Sequence, residues 1–158
     1  MRLLIVAVGR LKRGPERELA DRYAERARAT GRALGFSGPD VVEIPESRAT
    51  EPRVRKRDEA DAIRAKLPDG AELFVWDERG RPLASRPFAQ ALAAARDAGR
   101  ASALVIGGPD GLDPSLHEGA RVLSFGAMTL PHQLVRVLVC EQVYRATTIL
   151  QGHPYHRD

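Results

Sequence analysis

The sequence predicts an α/β protein, a parallel sheet with helices on both faces. Short apolar runs alternate with charged segments whose apolar residues recur at helical spacing. The run Ala103–Ile106 is apolar throughout, as a central strand covered on both faces requires. Glycine or proline punctuates most of the boundaries between runs. With 158 residues the chain is expected to form one domain, residues 1–158, able to bury an adequate core.

Taken in order, Arg2–Val8 is a compact apolar run closed by Gly9, the first strand. Pro15 to Leu34 is densely charged, with Leu19, Tyr23, Ala27 and Leu34 near helical spacing. Val41–Ile44 is a short second strand ended by Pro45. A helix then starts at Thr50-Glu51-Pro52, with Thr50 as cap and proline in the first turn, and stops at Pro68-Asp69-Gly70. Glu72–Trp76 is the third strand and Asp77–Gly80 a turn. An alanine-rich helix runs from Ser85 to about Ala98, stopped by Gly99. Ala103–Ile106 is the fourth strand, Pro114–Ala120 a short helix, Val122–Phe125 the fifth strand, and Pro131 to about Leu150 the last helix. Ser37–Pro39, Ser47–Pro52 and the final residues are expected to be the flexible parts.

That last helix is apolar most of the way round, from Leu134 to Leu150, more than one sheet face would cover. Either its own chain encloses it or it packs on a second copy; the shortness of the chain favours a homodimer. Glu141 and Arg145 are spaced to form an i, i+4 ion pair.

Composition sets further bounds. Twenty-five Lys and Arg face 21 Asp and Glu, a net charge of +4, with lysine only at positions 12, 56 and 66. Arginine suits planar contacts to phosphate and bases, so the balance mildly favours an RNA or other anionic partner. No stretch approaches the roughly 20 apolar residues of a membrane span, and the amino terminus lacks the length and cleavage site of a secretory signal. A cytoplasmic protein without membrane contact is expected. Cys140 is the only cysteine, which leaves no internal disulfide and no cysteine-based zinc site, and suits a buried, inert thiol.

Candidate chemistry gathers in the last third. Gly107-Gly108-Pro109-Asp110-Gly111 follows the fourth strand, where loops of an open α/β sheet collect ligands. It is no phosphate cradle of the usual kinds, because neither a Gly-x-Gly-x-x-Gly pattern nor a following Lys-Ser or Lys-Thr is present. The glycines could admit backbone to a flat ligand, or form a tight turn. Phe125-Gly126-Ala127-Met128-Thr129-Leu130 could line a pocket, or be an ordinary strand-to-helix link. His153-Pro154-Tyr155-His156-Arg157 groups two imidazoles, a phenol and a guanidinium, or is a loose tail. His117 and His132 have no metal spacing with them, so no metal is expected.

Ile106–Gly111, Met128–Val139, Glu141–Ala146 and Gly152–Arg157, in this order, resemble the signature blocks of the RlmH family. These are SPOUT-class methyltransferases that modify N3 of a pseudouridine in 23S ribosomal RNA. The resemblance extends over the whole chain, including Val6–Gly9 and Asp77–Gly80. It implies a deep trefoil knot in the carboxyl-terminal part, S-adenosylmethionine as methyl donor, and the assembled ribosome as substrate. Carried onto this chain, the cofactor-binding positions are Trp76, Gly107, Gly108, Phe125, Gly126, Ala127, Met128, Thr129 and Leu130. Trp76 departs from the family pattern, which has an aliphatic residue there.

The cluster of proton-transfer groups beside the expected pocket suggests that His153, Tyr155, His156 and Arg157 fold over the partner's cofactor, a histidine or tyrosine helping to deprotonate or orient the uracil ring and Arg157 engaging phosphate or carbonyl oxygen, with Arg136 assisting. Arg53, Arg55, Lys56 and Arg57 could contact RNA phosphate or form a solvated helix face. A nucleotide hydrolase is disfavoured for lack of a carboxylate cluster and a phosphate lysine. A non-catalytic ribosome-associated binding or assembly factor is the alternative.

Overall fold

The computed structural model describes residues 1–157. Five parallel strands, β1 (Arg2–Val8), β2 (Ser37–Ile44), β3 (Glu72–Pro82), β4 (Ser102–Ile106) and β5 (Arg121–Ser124), form one sheet in the order β2-β1-β4-β3-β5. The helices are α1 (Pro15–Gly31), α2 (Pro52–Arg64), α3 (Ser85–Asp97) and α4 (His132–Leu150). β4 is central and wholly buried, as its unbroken apolar run requires.

Strand alternation divides the core. Leu3, Ile5, Ala7, Phe74, Trp76, Leu104 and Ile106 face α1, α3 and α4. Leu4, Val6, Val8, Val75, Ala103 and Val105 face the other side, where α2 contributes Ala60 and Ile63. α4 lies against both α1 and α3, so its own chain covers Val139, Cys140, Val143 and Ala146. Leu134 in its first turn stays exposed. Among the described residues, no helix is long and apolar enough to cross a membrane.

Five local expectations are corrected. Ser37–Pro39 begins β2 instead of forming a loop. β2 pairs with β1 alone, and a register shift between Arg2 and Leu4 absorbs Gly38 and Pro39, so the missing proline donor costs no regular rung. Ser47–Pro52 is tied down: Ser47 N–H donates to Glu59, the Ser47 hydroxyl to Asp58, and Arg55 to the carbonyls of Ala49 and Thr50. The cap of α2 is Glu51, whose carbonyl accepts Val54 and Arg55 N–H, and not Thr50. Pro114–Ala120 condenses to a 3-10 turn, Pro114–Leu116, capped by Asp113.

Asp77–Gly80 is a detour inside β3 and not the end of it. Trp76 and Arg81 both pair with Leu123, and Pro82 then continues beside Ser124. Gly80 makes this possible, because a Cβ there would sit 2.4 Å from the Leu123 carbonyl carbon.

Candidate functional site

The carboxyl ends of β3, β4 and β5 open onto one cavity of about 750 Å³. Three segments distant in sequence build its wall: Trp76–Arg79, the turn Ile106–Leu112, and the loop from Ser124 into the start of α4. Of the nine cofactor positions implied by resemblance, eight line it: Trp76, Gly107, Gly108, Phe125, Gly126, Met128, Thr129 and Leu130. Ala127 is exposed in the same loop and does not.

The turn after β4 is packed too tightly for side chains. A Cβ on Gly107 would meet Leu112 Cγ at 2.9 Å, and one on Gly108 would meet Val8 Cγ1 at 3.0 Å. The turn closes through Gly111 N–H donating to the Gly108 carbonyl at 3.0 Å. Arg55, from α2, grips Asp110 with two bonds of 2.7 and 3.1 Å, and this fork holds the carboxyl below its ordinary value. Lys56, on the same helix turn, also lines the cavity.

Trp76 is 7% exposed and belongs mainly to the core. Its indole meets Phe88 edge-on at 5.7 Å and stacks on Phe125 at 5.8 Å. Two aromatic neighbours thus accommodate the indole, and the cavity gains an aromatic wall.

Two polar residues of the wall escaped the sequence reading. Asp77 and His117 stand 3.3 Å apart through Oδ2 and Nε2. The contact is an ion pair when the ring is protonated, but it lacks hydrogen-bond alignment and leaves Nε2 buried without an acceptor. Asp77 Oδ1 also accepts Arg79 N–H, which shapes the start of the β3 detour. Asp77 follows the expected strand Glu72–Trp76, a position legible in sequence, whereas His117 carries no such signal. Among the described residues, no three His, Cys, Asp or Glu side chains gather as a metal site would need.

The remaining candidates lie elsewhere in the chain. Arg136 is 4% exposed, with its guanidinium bonded to the Gly9 carbonyl at 2.7 Å and paired with Glu43. Glu43 also accepts Leu11 N–H at 2.6 Å and Arg17 at 2.9 Å. Burial pushes the Glu43 carboxyl up, but these donors outweigh it and hold the group below its ordinary value.

The tail docks on the end of α4. Tyr155 packs on Tyr144 at 4.7 Å between ring centres, and its hydroxyl donates to Glu141 at 3.0 Å. The Glu141–Arg145 pair closes at 2.6 Å, and Arg145 lies 4.8 Å over the Tyr155 ring. Burial, with hydrogen bonds to Tyr23 and Glu141, pushes the phenol up and keeps it neutral. His153 Nδ1 accepts Tyr155 N–H at 3.1 Å, and His156 Nδ1 lies 3.2 Å from Arg145, which can only donate. Arg157 is exposed. None of the four tail candidates, and not Arg136, lines the cavity of its own chain.

A family model described as "Predicted SPOUT methyltransferase" matches residues 1–156. Curated relatives match end to end. The chain is 56% identical to the ribosomal RNA large subunit methyltransferase H of Rhodopseudomonas palustris (strain BisB18), covering 99% of each. It is 58% identical to the protein of that name from Methylobacterium radiotolerans, covering 99% of this chain and 98% of that one. The namesake from Methylocella silvestris is 54% identical, with both chains fully covered.

Proposed function

Because the chain belongs to the SPOUT methyltransferase family, we propose that it transfers a methyl group from S-adenosylmethionine to N3 of a pseudouridine in 23S ribosomal RNA. In this reading it acts in the cytoplasm, as a single-domain homodimer, on the assembled ribosome, and its carboxyl-terminal part is knotted. The relatives' shared name supports a large-subunit RNA substrate. The observation that carries the reading is the meeting of two glycine-bearing loops and Trp76 on one cavity at the sheet's carboxyl rim.

The residues present suit the donor. The volume lies within the roughly 300–1,000 Å³ of small-molecule sites. Gly107 and Gly108 line the cavity with backbone, and the loop from Phe125 to Leu130 offers apolar walls with backbone amides and carbonyls. The Asp77 carboxylate supplies negative charge for a cationic ligand. When bound, the donor supplies a sulfonium methyl whose bond to sulfur breaks as the bond to N3 forms, in line. This chain's residues must orient both reactants, exclude water and remove the N3 proton.

We assign that last task to the tail of the opposite protomer. Four of the five large apolar side chains exposed among the described residues are Leu83, Phe125, Met128 and Leu134, in the β3–α3 link, the cavity loop and the first turn of α4. A second copy would cover them and bring its tail near. In that arrangement Tyr155, neutral and bonded to Glu141, anchors the tail, while His153 or His156 takes the proton and Arg157 engages phosphate or carbonyl oxygen. His153 Nδ1 is occupied as docked, so the ring proton lies on Nε2 when it is neutral. Taking a further proton at Nδ1 requires the tail to shift as it closes over the partner.

Two measurements test this. Titration calorimetry should show the protein binding S-adenosylmethionine, and it should methylate ribosomes lacking the mark. Removal of Gly152 to Asp158 should abolish methylation and leave donor binding intact. Unchanged turnover in the truncated protein would remove the tail from the mechanism, and absence of donor binding by the full chain would remove the function.

A further inference from the structure

The turn after β4 packs closely on Leu112 and Val8, but few hydrogen bonds hold it from within. Gly107, Gly108 and Gly111 carry no side chains, and within the turn one backbone bond, Gly111 N–H to the Gly108 carbonyl, closes the loop. The polar side chain of the turn is Asp110, and it reaches outward to α2. Arg55 meets it with Nε at 2.7 Å from Oδ2 and Nη2 at 3.1 Å from Oδ1. The other Nη donates to the carbonyls of Ala49 at 2.9 Å and Thr50 at 2.8 Å. One planar group therefore fastens together the strap before α2, the first turn of α2 and the glycine turn. A lysine in its place could reach one carboxylate oxygen but not span the fork and both carbonyls.

We propose that Arg55 is a positioning residue for donor binding, acting through Asp110 to hold the glycine turn in the shape the cavity requires. The donor-binding role of the cavity rests on the function proposed above; the clamp itself does not. Without Arg55 the turn samples other conformations, and a ligand that needs one of them binds more weakly by the fraction of time that one is present. The same clamp explains how a helix that gives the cavity wall only Lys56 bears on the site.

The test uses Arg55→Lys and Asp110→Asn, singly and together, in the full-length protein. In the absence of any ligand, amide hydrogen exchange at Gly111 should quicken about tenfold in Arg55→Lys, while the amides of β4 and α4 keep their rates. Titration with S-adenosylmethionine should give a Kd raised about tenfold in each single variant, and the double variant should be no worse than either, because both break one clamp. In methylation assays the loss for Arg55→Lys should fall on KM for the donor, with kcat lowered less than twofold.

Unaltered exchange at Gly111 would overturn the clamp whether or not the donor binds. Quickened exchange with an unaltered Kd for the donor would overturn its role in binding. A wild-type protein that fails to bind the donor, yet shows the exchange effect, would instead refute the function proposed above and leave the clamp as a fact of the turn.

Discussion

Replacing Glu43 with glutamine tests how the carboxyl end of β2, the loop after β1 and the start of α4 are joined. Glu43 accepts from Leu11 N–H, Arg17 and Arg136, and Arg136 is 4% exposed, with the Gly9 carbonyl as its other hydrogen-bond partner. Removing one member of a buried pair costs about 3–5 kcal/mol, because the remaining charge is stranded. Two features lower that figure here. Glutamine keeps a carbonyl that can accept the Leu11 amide, and Arg17, whose side chain is 27% exposed, recovers water. The expected loss is about 2–3 kcal/mol, equivalent to a fall in Tm of roughly 5–10 °C for a chain of this size.

The sign of the pH dependence follows from the lowered carboxyl. Below its ordinary value of 4.5 the unfolded chain takes up a proton that the folded chain still refuses, so the stabilisation is complete above that value and drains away as pH falls through the lower native one. Urea unfolding of both proteins near neutrality and near pH 3 should therefore show a gap that narrows on acidification. A gap under about 0.5 kcal/mol near neutrality, or one of equal size at both pH values, would refute this account of the Glu43 cluster.

Two further outcomes are expected. Gly80→Ala should destabilise the fold by about 2–4 kcal/mol, since the new methyl would collide with Leu123 backbone; a thermal unfolding midpoint within a degree or so of wild type would show that the β3 detour relaxes freely. Reversing Arg53 and Arg57, both exposed on α2, should weaken ribosome binding most at low salt and leave Tm nearly unaltered, whereas binding that ignores the reversal would assign them to solubility.

Apolar runs disclose all five strands, and helical spacing with cap and stop residues discloses the four helices, because both report which side chains must be buried. Pairing was less visible. Gly38-Pro39 reads locally as a break, and only β1, far off in sequence, shows that an edge strand with a shifted register accepts it. Asp77–Gly80 has the composition of a turn, and nothing in it discloses that Leu123 receives the chain twice. The apolar circumference of α4 suggested an uncovered surface, yet α1 and α3 cover much of it.

That the glycine turn and the loop from Phe125 line one cavity accords with their place at strand ends, where loops of an open sheet collect, although their residues alone left a tight turn and an ordinary link open. Arg55 with Asp110, 55 residues apart, and Asp77 with His117 were not legible, because a contact between distant charges leaves no spacing to read.

The strand order carries a consequence for synthesis. β1 lies between β2 and β4, with Leu3 beside Ser102, and α1 takes its largest helix partner from α4 at the far end of the chain. A polypeptide emerging amino end first therefore leaves one flank of β1 without a partner until Ser102–Ile106 is made, and the groove of α1 uncovered until His132–Leu150 is made. Burial of the amino-terminal strand and helix thus waits on segments far along the chain, a non-local order of contacts that slows folding.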